Sequence, residues 1–244
     1  MKFEIEKFIE LNQYPEVQGD KYFYQGKPVP RVTEILSSML HEDYLMQWSN
    51  AIGLYKHQKY KDTLQQSADI GSYVHAAIEN YLKNGIDLNI ESIPCTYRDQ
   101  VRNAFYSFKE WWSIIIKNDY KILMQEQELI CMYFGGTLDL LIEINGCIYL
   151  IDFKTSNHPS YKYFLQLSAY RYMLRILYGI EIDGCIILML DKKTESFQEM
   201  FLNFKIQEHL QYINYCEQTF LSIVYSYYNR LRVEQYYTNI FGGK

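Results

Sequence analysis

The chain has 244 residues, enough for one large domain with a sizeable core. Its 48% apolar and 17% aromatic content, with 12 Gly and 5 Pro, excludes long linkers, low-complexity tracts and disorder. The formal net charge of −5 opposes a broadly basic nucleic-acid surface, and no apolar run reaches the roughly 18 residues of a membrane span.

The acidic start Met1-Lys2-Phe3-Glu4-Ile5-Glu6 is not a signal peptide, so the cytoplasm is the expected location and no membrane partner is expected. Lys21–Tyr24, a Gln-Gly-Lys turn and Pro28–Arg31 suggest a small hairpin, and Thr33 opens a helix to about Leu40. A helix is predicted from about Ser67, as N-cap, to Lys83, with Asn84-Gly85 as its stop and Ile70, Val74, Ala77 and Tyr81 as its apolar stripe. A longer helix from about Tyr97 to Ile116 carries Val101, Phe105, Phe108, Trp112 and Ile115, a core stripe without functional weight. Strands are predicted at Glu126–Tyr133, Leu138–Ile144, Cys147–Phe153 and Gly184–Leu190, with Phe197–Asn203 as an edge strand. A helix carrying Gln166 precedes the fourth of these, and an amphipathic helix from about Ile206 to Arg230 ends the pattern. The five cysteines, at 95, 131, 147, 185 and 216, have no Cys-x-x-Cys spacing, which fits reduced thiols rather than disulfides or zinc.

The chemistry concentrates around Asn145-Gly146. Asn-Gly between two apolar runs is a strong hairpin signal. A two-residue turn there pairs Ile144 with Cys147 and, counting back, Asp139 with Asp152, with Cβ atoms roughly 4.5–5.5 Å apart. Strand alternation puts Lys154 on the face of Asp152. Like charges facing each other destabilise a sheet, and the flanking residues leave neither face polar. A divalent cation between the carboxylates resolves the conflict.

These residues resemble the PD-(D/E)xK nuclease superfamily, in particular its RecB-like phage exonuclease branch. That branch includes the mitochondrial genome maintenance exonuclease and the CRISPR-associated nucleases. The matching motifs are Gly136-Thr137-Leu138-Asp139, Asp152-Phe153-Lys154, Gln166-Leu167-Ser168-Ala169-Tyr170 and, upstream, Gly71-Ser72-Tyr73-Val74-His75. Val29-Pro30-Arg31-Val32-Thr33-Glu34-Ile35-Leu36 also resembles a segment of phage members. The cysteines needed for the iron–sulfur cluster of some relatives are missing, so no such cluster is expected.

The resemblance implies an α/β fold with a restriction-endonuclease-like core, a central mixed sheet flanked by helices, and a helical N-terminal elaboration. A single domain over 1–244 then divides into a mainly helical part (1–125) with the His75 helix, a core sheet with the Gln166 helix (126–205), and a C-terminal helix and tail (206–244). It implies Asp139, Asp152 and Lys154 as catalytic residues, and His75, Asp139, Asp152 and the Phe153 carbonyl as ligands of one or two Mg²⁺ or Mn²⁺ ions. Gln166 and Tyr170, one helical turn apart, would line the substrate groove. Glu79, one turn after His75, is either a residue that orients it or a solvated glutamate; Glu128 is either a relay to the metal or a structural partner.

The implied activity is exonucleolytic hydrolysis of DNA, as a single strand or a duplex end, in phage or bacterial recombination, replication or repair. The bacterial host is the compartment for a phage-encoded chain. Structure- or site-specific endonuclease action and DNA or partner binding without cleavage are the alternatives. Lys56, His57, Lys59 and Lys61, and Arg171 with Arg175, are the local cation clusters. The acidic balance predicts weak nonspecific affinity or loading by a recombination or replication partner.

Overall fold

The computed structural model describes residues 16–18, 21–40 and 60–242. Strands β1 (Glu16–Gln18), β2 (Lys21–Tyr24) and β3 (Lys27–Val29) form a small antiparallel sheet, followed by helix α1 (Val32–Met39). Helices α2 (Tyr60–Asn84) and α3 (Arg98–Ile115) come next. Then follow β4 (Tyr120–Ile130), β5 (Gly135–Ile144), β6 (Cys147–Lys154), α4 (Lys162–Tyr178), β7 (Gly184–Leu190), β8 (Phe197–Asn203) and α5 (Gln207–Phe241).

The main sheet has the order β4-β5-β6-β7-β8, with β6 and β7 parallel and the other neighbours antiparallel. This is a mixed α/β architecture with helices on both faces. On one face Leu140, Ile142, Ile151, Phe153, Ile186 and Leu188 meet Ile70, Val74 and Ile78 of α2 and the Phe105, Phe108, Trp111 and Trp112 rings of α3. On the other, Leu141, Leu150, Ile187 and Met189 meet Leu165, Met173 and Leu174 of α4, with α1 and α5 behind them. Burying each such large apolar side chain contributes roughly 1.5–3 kcal/mol before entropy is counted. Every residue of β7 is buried, as expected of a central strand covered on both faces.

The Asn145-Gly146 turn forms as its residue types require, with φ of +51° and +78°, and pairs Ile144 with Cys147. β7 and β8 have the bounds read from the sequence. Other boundaries are corrected. α2 begins at Tyr60, so Ser67 lies inside it and caps nothing. β4 begins at Tyr120 and ends before Tyr133, and α5 runs on to Phe241. The 1–125 part also carries β1, β2, β3 and the start of β4, so it is less purely helical than expected. Among the described residues no helix is long and apolar enough to cross a membrane. Lys56, His57 and Lys59 lie outside the described residues; Lys61 is in α2.

Candidate active site

The site forms where β5 and β6 part. Their ladder runs from Ile144–Cys147 to Leu140–Ile151 and ends one pair short of Asp139 and Asp152. In place of that pair, the Phe153 backbone N–H donates to Asp139 Oδ2 at 2.6 Å. The expected direct pairing of the aspartates is therefore corrected: Asp139 bridges the opening gap with its side chain. Both aspartates are buried, at 7% and 1% exposure.

Helix α2 brings His75 to this gap by docking Ile70, Val74 and Ile78 on the sheet. His75 Nε2 lies 3.1 Å from the Phe153 carbonyl oxygen, which can only accept, so Nε2 carries the proton. Nδ1 then faces Glu126 Oε1 at 3.5 Å and Asp139 Oδ1 at 3.6 Å. The Phe153 carbonyl thus orients the imidazole, where the sequence had suggested a metal ligand. Gly71, one turn earlier, passes beside Thr155, though an added Cβ would sit at an ordinary 3.5 Å from Thr155 Oγ1. Close approach is not what requires glycine there.

Glu126 was not among the residues singled out from the sequence. A bulge at Leu123 shifts the β4–β5 register, so Glu126, between the Gln125–Leu140 and Gln127–Leu138 pairs, falls opposite Asp139. Its φ of +44° is left-handed, a backbone state that costs a non-glycine residue on the order of 1 kcal/mol. Glu128 instead pairs with Thr137, further from the gap. Of the two readings of Glu79, the solvated glutamate fits: its carboxylate takes Lys83 Nζ at 2.6 Å, and its backbone carbonyl accepts from Gln125 of β4.

The other face supplies the cation. Lys154 Nζ lies 2.8 Å from Asp152 Oδ2, donates to Gln166 Oε1 at 3.1 Å, and sits 5.2 Å from the Tyr163 ring centre. Gln166 Nε2 donates in turn to the Tyr170 hydroxyl at 3.0 Å. Both residues come from one face of α4, as the four-residue spacing required. The paired glycines at the start of β5 make room for tyrosines. An added Cβ on Gly135 would meet Tyr22 at 3.0 Å, and one on Gly136 would meet the buried Tyr170 ring at 2.7 Å. Tyr22 also shares a 2.8 Å hydrogen bond with Thr137 Oγ1.

Burial, opposed by Lys154 and reinforced by Asp139, lifts the Asp152 carboxyl to about 6. Burial lifts Asp139 as well, against the pull of His75 and Lys154. Burial alone would lower His75, but Asp139 and Glu126 raise it to about 9. Burial likewise works against the Lys154 ammonium, yet Asp152 and Asp139 prevail and raise its pKa.

A divalent cation fits this donor set. Ligand atoms of His75, Glu126 and Asp139 lie within 4.8 Å of one another. Among the described residues the buried Asp152 oxygens have no partner beyond the Lys154 ammonium, 2.8 Å from Oδ2. With the His75 imidazole neutral, as ligation requires, three carboxylates against one lysine leave two formal negative charges, the amount a divalent ion would neutralise.

Arg171 and Arg175, a candidate cation cluster in the sequence, face α5 instead. Arg171 donates to Asn214 at 2.8 Å and Glu217 at 3.3 Å, and Arg175 donates to Glu217 at 2.5 Å. They hold two helices together. The five cysteines are separate thiols, three of them buried.

No family model matches the chain, and no curated protein matches it. A solved structure described as "Crystal structure of SSO0001" is similar at 14% identity over 90% of this chain and 84% of that one, with a TM-score of 0.36. At that score the likeness supports no inference about fold family or function.

Proposed function

We propose that this protein is a metal-dependent deoxyribonuclease with a restriction-endonuclease-like core, acting as an exonuclease on DNA. The observation that carries the reading is the convergence of Asp139, Asp152, Glu126 and His75 with Lys154 at the parting of β5 and β6. Two buried carboxylates with a third half-buried beside them are costly without a cation, and a protonated lysine there suits an anionic substrate.

Asp139, Asp152 and Glu126 would hold Mg²⁺ or Mn²⁺, with His75 presenting Nδ1 while Phe153 holds Nε2–H. Ligating histidines are oriented by such a hydrogen bond from the other nitrogen. The ion, when bound, acidifies water and offsets charge on the scissile phosphate. Lys154 stays an ammonium while its carboxylate neighbours hold its pKa up, so its role is electrostatic: it stabilises the negative charge that builds on the phosphoryl oxygens. Gln166 fixes the Lys154 amine, and Tyr170, kept a neutral phenol by burial and the two aspartates, fixes Gln166. The bacterial or phage setting, the cytoplasmic location and a recombination or replication partner belong to the same proposal, through the sequence resemblance alone.

Digestion of end-labelled linear DNA beside covalently closed circles, with Mg²⁺ or Mn²⁺, tests it. The exonuclease reading expects linear molecules to shorten from their ends and closed circles to survive. Cutting of closed circles would make the protein an endonuclease, and binding without any cutting would make it a nuclease-fold binding protein.

A further inference from the structure

β6 and β7 run parallel with Lys154 beside Met189, and both chains leave the sheet just beyond that pair. Between them opens a cleft of about 290 Å³, lined in part by Ser156, Asn157, Lys192 and Lys193. Crevices outside the carboxyl ends of parallel strands are the habitual ligand sites of α/β sheets. Lys192 is three residues past Met189, so along the strand it lies within about 11 Å of the level of Lys154. A duplex carries one phosphate per about 3.4 Å of its axis on each strand, so a span of that order covers a few nucleotides at most.

The turn carrying these lysines is preset. Asn103 of α3 donates to the carbonyls of both Lys192 and Lys193, at 3.2 and 3.1 Å. Ser107 Oγ lies within hydrogen-bond reach of the Asp191 carbonyl at 3.3 Å. The Asp191 carboxylate is occupied within the turn, accepting from the Lys193 N–H at 2.7 Å and the Thr194 hydroxyl at 2.8 Å. Among the described residues neither lysine ammonium forms an ion pair, with the exposed Glu195 or any other acid. Lys192 is nonetheless half-buried, and burial lowers its pKa against the pull of Asp191. A partly desolvated cation without a counter-ion costs free energy that an anionic ligand would offset. A rigid turn also removes the ordering cost of binding one.

We propose that this cleft is a phosphate subsite, in which Lys192 and Lys193 hold the DNA backbone a few nucleotides from the bond under attack. The proposal rests on the nuclease reading and extends it to how the strand is laid across the sheet.

The test is binding of a fluorescein-labelled single-stranded oligonucleotide, followed by anisotropy across a salt series with Ca²⁺ in place of Mg²⁺, together with KM for its cleavage in Mg²⁺. Wild type is compared with Lys192→Ala/Lys193→Ala and with Lys117→Ala at the opposite end of the sheet, melting temperatures confirming the fold. Each lost phosphate contact on a single strand flattens the dependence of log K on log salt by about 0.7, so the double variant should lose about 1.4 and raise KM. Lys117→Ala should behave as wild type. Should the double variant fold poorly, Lys193→Ala alone, on an exposed position, should lose about half that slope. An unchanged slope and affinity in a variant of a protein that still cuts DNA would overturn the subsite and leave the nuclease reading standing. A wild-type protein that neither binds nor cuts DNA would overturn both.

Discussion

Asp152 is the residue on which the site turns: its two oxygens are buried, and the Lys154 ammonium, 2.8 Å from Oδ2, is its ion-pair partner among the described residues. Asp152→Ala or Lys154→Ala should lower the cleavage rate by on the order of 10²-fold or more, since each removes charge placed against the transition state. Single-turnover digestion by folded variants measures this, and a variant near the wild-type rate would remove that residue from the site. His75→Ala and Glu126→Gln should each weaken Mn²⁺ binding by about 10–100-fold in calorimetric titrations. Equal affinities would make the histidine a docking residue of α2.

The same residues set a pH dependence. Asp152 titrates near 6 in the folded chain, above the ordinary 3.8, so the native state holds that proton more tightly than the unfolded one. The associated stability is present below about pH 4 and lost as pH rises through about 6. His75, raised from 6.5 to about 9, contributes stability present below 6.5 and lost as pH rises through about 9. Both act in one direction, so with chelator the melting temperature should fall across this range. Ligation needs both protons gone, so the gain in melting temperature from added Mn²⁺ should grow over the same range. Thermal melts with EDTA and with Mn²⁺ from pH 5 to pH 9, a window spanning these two titrations, test it; a constant gap would contradict the assignment of these ligands.

Among the elements, the β5–β6 hairpin does most to assemble the site, and its start depends on Gly136. Gly136→Ala would drive a Cβ to 2.7 Å from the Tyr170 ring, which is buried and hydrogen-bonded to Gln166 and so cannot retreat. The substitution should cost about 1–3 kcal/mol, with partial recovery when Tyr170→Leu is added. A denaturant-melt double-mutant cycle reads the coupling, and additive effects would mean the ring is free to move. The hairpin itself was legible because Asn-Gly and two apolar runs specify turn, register and faces together. Glu126 was not: without the bulge at Leu123, which has no compositional mark, the β4–β5 register would set Gln125 rather than Glu126 opposite Asp139. The first turns of α2 and the last of α5 went unread because they bury little, so no apolar stripe marks them. Tyr225, Val233, Tyr236 and Tyr237 of α5 are each at least 65% exposed. Arg171 and Arg175 misled in the opposite way: their charge was visible, but their partner Glu217, on α5, lies 42 residues or more along the chain.

At the scale of the whole molecule, the sheet acts as a divider that the site interrupts. Helices α2 and α3 press one face and deliver His75; α4 presses the other and fixes Lys154 through Gln166. Among the described residues these two groups come together where β5 and β6 separate, at one edge of a heavily packed core. The net charge of −5 counts the carboxylates of this gap against the protein, and a divalent ion held there would offset them. The proposed activity requires this gap to cut DNA. The most direct measurement is Mn²⁺-dependent digestion of 5′- and 3′-end-labelled linear duplex and single strand by wild type beside Asp152→Ala, with matched melting temperatures. Progressive shortening by wild type and its loss in the variant is the result expected. Equal shortening by both proteins, or none by either on any substrate, would contradict the account.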